Sequence, residues 1–288
     1  MASQDHIRNP VEWGCGQISL AALSLGSLGR SLRGSQKGWY APAVARIKAA
    51  DLRDVLIRGL EDFGAYRSDV IFLGLVYPVA GIALAWQTFG HDMLPLLFPL
   101  ASGFALIVPV AAVSLYEMSR RRERGIHVTW VDAFGVIQSP GFGAIFVLGL
   151  VLVTIFLLWL LTAKLIYQFT LGPESPASLA AFVRDVFTTT AGWSMIVIGL
   201  SVGFLFALLV LAISVVSFPL LLDRDVGLPN AVSTSVRAVT ENPGPMAVWG
   251  LIVAGSLLIG SLPAFLGLIF VLPVLGHATW HLYRKLVP

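Results

Sequence analysis

The stretch SFPLLLDRDVGLPNAV, residues 217–232, decides how this chain folds. It sets Asp223, Arg224 and Asp225 side by side after a long apolar run, with Gly227 and Pro229 close behind. A catalytic carboxylate pair, a metal site and the end of a membrane span all begin from such a pattern. Composition separates them. Of 288 residues, 57% are hydrophobic and 12% charged, against about 25% charged in an ordinary soluble domain. A water-facing fold cannot bury so many apolar side chains, so lipid is the solvent for most of the chain. The triplet is then expected where a helix leaves the bilayer. Leu222 is the last residue at lipid depth, Gly227 turns the chain, and Pro229 opens the next helix. Arg224 can pair with its acidic neighbours, which adds little if all three are exposed. A ligand or partner contact at Asp223, Arg224 and Asp225 is the functional alternative.

Working outward from there, six apolar segments are long enough to cross a hydrocarbon core that needs about 20 helical residues. They cover residues 70–88, 94–115, 141–163, 191–222, 245–262 and 263–283. The last two need a tight hairpin around Gly260 to Pro263. Lysine and arginine accumulate on the cytoplasmic side of membrane proteins. Nine precede the first segment, four lie in SRRRERG, two follow the fourth segment and two end the chain, seventeen of nineteen. Lys164 and Arg184 fall in the remaining loops. Six spans with both termini in the cytoplasm accommodate every one of them.

Three cytoplasmic stretches resemble one another. Before the first span, Leu52, Val55, Leu56, Leu60 and Phe63 share a helical face, with Arg53, Asp54, Arg58, Glu61 and Asp62 opposite. Trp130, Ala133, Phe134 and Ile137 repeat the spacing before the third span, and Val232, Ser235, Val236 and Val239 before the fifth. Gly125, Pro140 and Gly149-Leu150 answer to Gly227, Pro243 and Gly250-Leu251, at intervals that agree to within two residues. Asp51, Thr129 and Pro229 stand where the helices should start. The expected fold class is all-α: a polytopic membrane bundle of six transmembrane helices with three cytoplasmic interfacial amphipathic helices. It is organised as three units of one interfacial helix and two spans. Residues 46–288 form this membrane domain, and residues 1–45, rich in Gly and Ser, a weakly ordered leader. The single cysteine, Cys15, excludes an internal disulfide.

The phrases FLGLVYPVAG, FPLASGFALIVPVAAVSLYEMSRRRERG, WVDAFGVIQSP, SFPLLLDRDVG, ENPGPMAVWGLI and LPVLGHATWHLYRKLV resemble an uncharacterised bacterial family of integral membrane proteins, domain of unknown function 2189. The resemblance runs over residues 46–287. It implies a multi-pass protein of the bacterial inner membrane. It also implies a cytochrome c oxidase subunit label that some members carry, but brings no catalytic residue and no cofactor.

That label can be weighed on ligand chemistry. Two axial ligands of one haem come from opposite sides of its plane. Of five histidines, His6, His91, His127, His277 and His281, only His277 lies well inside a span. His281 follows one turn later on the same face, so the two can share one metal ion but cannot bracket a haem. The plain expectation is that His277, His281, Trp280 and Tyr283 form a polar and aromatic belt at the cytoplasmic headgroups. No metal or cofactor is expected.

No Asp, Glu, Lys, Arg or His stands at the centre of a span, as an ion-coupled transporter would require, and Glu117 near a boundary is expected to be solvated. Pro78, Pro99, Pro109, Pro219 and Pro273 are expected to kink helices that fit together, although broken helices also line the paths of transporters. Gly199, Gly203 and Ala207 form a small-residue stripe that lets another helix approach, in this chain or in a second copy. Arg120, Arg121, Arg122 and Arg124 mark the cytoplasmic side and can bind acidic lipid headgroups. Nucleic-acid binding is not expected of so short a cluster against a membrane. With no phosphate loop, zinc-protease helix or nucleophile elbow, the expected role is not enzymatic. It is a scaffold, assembly or accessory membrane component, with a permease for a neutral or lipid-like molecule and an accessory subunit of a respiratory oxidase as alternatives.

Overall fold

A computed structural model describes residues 42–65, 94–126, 135–137, 139–172, 174, 176–263 and 265–288. The first expected span, Thr129 and most of the second interfacial helix lie outside these residues, as do Cys15, His6, His91 and His127. Among the described residues every regular element is helical. In chain order these are α1 (Asp51–Ala65), α2 (Leu97–Ala111), α3 (Val113–Glu123), α4 (Phe142–Thr170), α5 (Leu179–Thr188), α6 (Thr190–Ser214), α7 (Ser217–Asp223), α8 (Leu228–Glu241), α9 (Pro243–Ser261) and α10 (Leu268–Leu286).

Among the described residues three stretches are long and apolar enough to cross a membrane: Phe142–Thr170, Thr190–Asp223 and Pro243–Ser261. At about 1.5 Å per residue, the 29 residues of α4 reach about 43 Å, beyond a hydrocarbon core of about 30 Å. The surplus is at its start, where Gly143, Ala144, Ile145, Leu148 and Gly149 are buried in a base shared with other helices. Farther along, Leu157, Leu158, Leu161 and Leu165 face outward. α6 is more exposed still, burying only Gly192, Val210 and Ser214. Its stripe is divided: Gly203 lies under the Trp159 ring, Gly199 meets open space and Ala207 is exposed.

The residues of the expected second span fall in α2 and α3, which are interrupted at Ala112, three residues after Pro109, and are not among the three membrane-length stretches. The residues of the expected sixth fall in α10, which is also not one of the three stretches and is joined to α9 by a short turn in which Phe265 takes φ 65°. An element not expected is α5, an amphipathic helix capped by Ser178 and separated from α6 only by Thr189.

The opening stretch departs from its reading. The apolar helix does not run to Leu222; it ends at Ser214 and resumes as α7. Pro219 explains the break, because it has no N–H for the carbonyl of Val215 and its ring crowds that carbonyl. Residues 214–222 are all buried, so LLL is core rather than lipid-facing wall. Gly141, at the start of α4, meets α7 so closely that a Cβ there would collide with the Leu221 carbonyl oxygen.

The buried core gathers at this end of the molecule. α3, α7 and α10 meet at its middle, and amphipathic segments lean on them from outside. α1 runs antiparallel along α10: Lys285 reaches Asp51, Gly59 touches Ala278, and Phe63 meets Phe270 edge-on at 6.1 Å. A Cβ on Gly59 would lie 2.7 Å from the Ala278 nitrogen, so only glycine allows this approach. α8 docks on the break between α6 and α7, where Ser235 Oγ accepts from the Val216 N–H and Ser217 Oγ donates to the Ala231 carbonyl. The turn at 135–137 lies over α3, with Gly135 against the Arg121 guanidinium. Residues 42–50 complete the base. The Ala45 N–H bonds the Leu286 carbonyl, and Asn242 takes the Ile47 N–H while donating to the Ala45 carbonyl.

The amphipathic faces turn slightly from their expected positions. In α1 the buried residues are Leu52, Val55, Gly59, Asp62 and Phe63, while Leu60 is 58% exposed. In α8 they are Ala231, Thr234, Ser235 and Ala238, with Val232, Val236 and Val239 only partly covered.

Candidate functional site

Where α1, α3, α7 and α10 converge, the core is polar. The rotation of α1 brings Asp62 inward on the same side as Val55 and Gly59, and the carboxylate is 5% exposed. α3 contributes Glu117, Ser119 and the arginines, α7 contributes Asp223, and α10 contributes His277, His281, Tyr283 and Arg284.

Asp62 is the centre. Its Oδ2 accepts from Ser119 Oγ at 2.5 Å and lies 2.9 Å from His281 Nε2, while Oδ1 accepts from Arg122 at 2.5 Å. Burial pushes this carboxyl up, and the hydrogen bonds from His281 and Ser119, with the nearby histidine charge, more than reverse that and hold it below its ordinary 3.8. Ser119 has one hydrogen. Given to the carboxylate, it leaves the Oγ lone pairs to accept Nδ1–H of His277, 2.8 Å away, and so assigns the tautomer of that ring. His277 Nε2 is buried without a hydrogen-bond partner.

A second group forms around Asp223. Tyr283 donates its hydroxyl to Oδ2 at 2.8 Å, Arg124 and Arg284 stand 3.6 Å from the carboxylate, and Arg224 stands 3.8 Å away. Arg224 also donates to the Pro288 and Val287 carbonyls, tying α7 to the end of α10. Asp225 is exposed. A third group is Glu117, 2% exposed. It accepts from Arg121 Nε at 2.7 Å and has Arg120 Nη2 at 2.7 Å, close enough to ion-pair without hydrogen-bond alignment. Arg120 donates onward to the Leu222 carbonyl at 2.8 Å.

Several expectations need correcting here. Asp223 ends the Thr190–Asp223 stretch but is partly buried there, accepting from Tyr283 and ion-pairing with Arg124, Arg224 and Arg284. His277, Trp280 and Tyr283 have no exposed surface, and His281 has 7%, so they are core and not an interfacial belt. Glu117 is not solvated. Arg120, Arg121 and Arg122 turn inward to carboxylates, and Arg124, with a side chain 53% exposed, is the most outward of the four. The carboxylate facing the histidines comes from α1, more than two hundred residues away in sequence, and so was missed. The signal available was Asp62 one turn after Gly59 on a helix facing Ala278.

Asp62, Ser119 and His277 are the residue types of a hydrolase triad, but their order is different. In a triad the histidine stands between serine and carboxylate and takes the serine proton. Here serine stands between the other two, gives its hydrogen to the carboxylate, and is 1% exposed. Among the described residues no three His, Cys, Asp or Glu side chains are placed to hold a metal ion.

Residues 97–223, from α2 to α7, match the family described as "Predicted integral membrane protein (DUF2189)". No curated protein and no solved structure matches the chain.

Proposed function

Taking the integral-membrane character of that family as premise, we propose that this chain crosses a bacterial inner membrane six times, with both termini cytoplasmic, and serves as a non-enzymatic scaffold, assembly or accessory component. One observation carries the reading. The acidic side chains buried in the base are matched by basic or hydrogen-bonding groups of the same chain, while the apolar helices α4, α6 and α9 offer their flanks outward. A protein built to act on a substrate would keep polar groups directed at an accessible space; this one directs them at each other. The three-unit organisation is supported by Gly125 and Gly227, which follow α3 and α7 with φ of 69° and 74°. It is supported too by the way α1, the 135–137 turn and α8 each lie against the end of α10, α3 and α6–α7. In this reading Arg124 remains available to acidic headgroups, and the open flank at Gly199 and Ala207 to a second copy.

The test is purification in mild detergent, with a visible spectrum and mass spectrometry of what accompanies the chain. A reproducible protein partner and no chromophore is the expected result, and an oxidase among the partners would specify the accessory role. A stoichiometric Soret band, or a bound small molecule with no partner, would replace this reading with a cofactor-bearing subunit or a permease.

A further inference from the structure

The fate of His281 is not settled by the scaffold role. Its Nε2 lies 2.9 Å from Asp62 Oδ2 on α1, and its Nδ1 lies 3.7 Å from Glu123 Oε1 on α3. That Nδ1 is buried and has no hydrogen-bond partner. A neutral imidazole has one N–H and one lone pair. In this position, whichever tautomer forms, one lone pair faces a carboxylate oxygen.

The arginines nearby engage the other oxygen of each carboxylate. Arg122 of α3 takes the other oxygen of Asp62, and Arg284 of α10 stands 3.3 Å from the other oxygen of Glu123. His277 engages Ser119, with Asp62 3.9 Å away, and Asp223 of α7 draws on Arg284 from the far side. Two carboxylates from two helices therefore present one oxygen each to the two nitrogens of one ring, that of Asp62 also accepting from Ser119.

We propose that His281 is a proton-binding site: the imidazolium donates to Asp62 and to Glu123 together and clasps α1 and α3 onto α10. The proton comes from water at Glu123, whose side chain is 33% exposed. It adds to Nδ1 while Nε2 keeps the hydrogen it already shares with Asp62, and no bond between heavy atoms changes. The clasp is complete when the ring carries both hydrogens and loses its Glu123 arm when Nδ1 returns its proton to water.

Nitrogen-15 NMR of the histidine-labelled full chain in detergent, from pH 5 to 9, reads this directly. At pH 6 both nitrogens of His281 should carry hydrogen, and one should lose it at higher pH. In Glu123→Gln the titration midpoint should move about one unit lower, the size of effect one nearby opposite charge produces. The thermal unfolding midpoint of the wild type should fall between pH 6 and 8, and that fall should vanish in His281→Gln. A ring with a single hydrogen at pH 6 would overturn the proposal. An unchanged titration in Glu123→Gln would do the same, and both readings hold even if His281→Gln does not fold.

Discussion

At the scale of single residues, Asp62 concentrates the most consequence in the fewest atoms. It accepts from three side chains on two other helices, so its removal deprives the buried His281 and Ser119, and the half-buried Arg122, of a shared acceptor. Breaking a buried pair from one side costs about 3–5 kcal/mol, and Asp62→Ala should lower the unfolding free energy in detergent by about that amount. The pH dependence has a definite sign. A carboxyl held below 3.8 when folded contributes its stability above the unfolded value and loses it as pH falls through the folded one. The gap in unfolding midpoint between wild type and Asp62→Asn should be full at pH 6 and shrink below pH 4; a constant gap would mean the carboxylate charge does not stabilise the fold. The sequence pattern placed Asp62 on the polar side because hydropathy weighs Leu56 and Leu60 and is silent about Gly59. Shape decided otherwise. The close contact of Gly59 with Ala278 fixes the rotation of α1, and that rotation carries Asp62 toward His281.

At the scale of elements, the same contact can be broken without touching a charge. A side chain at Gly59 has no room before the backbone of Ala278, and overpacking of this kind costs about 1–3 kcal/mol. Gly59→Val should therefore loosen α1 from α10, seen as faster amide exchange over 51–65 with α8 and α9 unchanged; equal exchange in both proteins would mean α1 is held by its ion pairs alone. Length, apolarity and punctuation made most elements legible. α4 and α9 were expected nearly as they stand, and the Gly125 and Gly227 turns were readable as a matched pair. What could not be read was the depth of an apolar run. Leu220, Leu221 and Leu222 of α7 carry the same side chain as Leu205 and Leu208 of α6, yet the first three are buried in protein and the latter two face outward. Hydropathy cannot tell lipid from core. The proline that breaks the helix at Val215 was visible, but its consequence, a short buried helix presenting Asp223 to Tyr283, depends on where α8 and α10 come to rest.

At the scale of the molecule, the described structure is a charged, interlocked base from which apolar helices extend, and this asymmetry carries the orientation. α4 begins in the base at Phe142 and ends about 43 Å away at Thr170, far enough to place its two ends on opposite sides of a bilayer. The base holds Arg53, Arg58, Arg120, Arg121, Arg122, Arg124, Arg284 and Lys285, whereas the segment between α4 and α6 holds Arg184 alone. In the proposed topology, retention of basic residues puts the base in the cytoplasm and α5 on the opposite face. Cysteine labelling checks this without relying on any activity. Gly172 follows α4 in a turn with open space where a side chain would begin, and Arg58 is exposed on α1. With Cys15→Ser as background, Gly172→Cys should react with a membrane-impermeant maleimide in intact spheroplasts. Arg58→Cys should react only after permeabilisation. The reverse pattern would invert the orientation and move the buried acid and histidine cluster to the outer face. Labelling of both sites from outside would mean that α4 does not cross the membrane, and the base and its helices would have to be read as lying on one side of it.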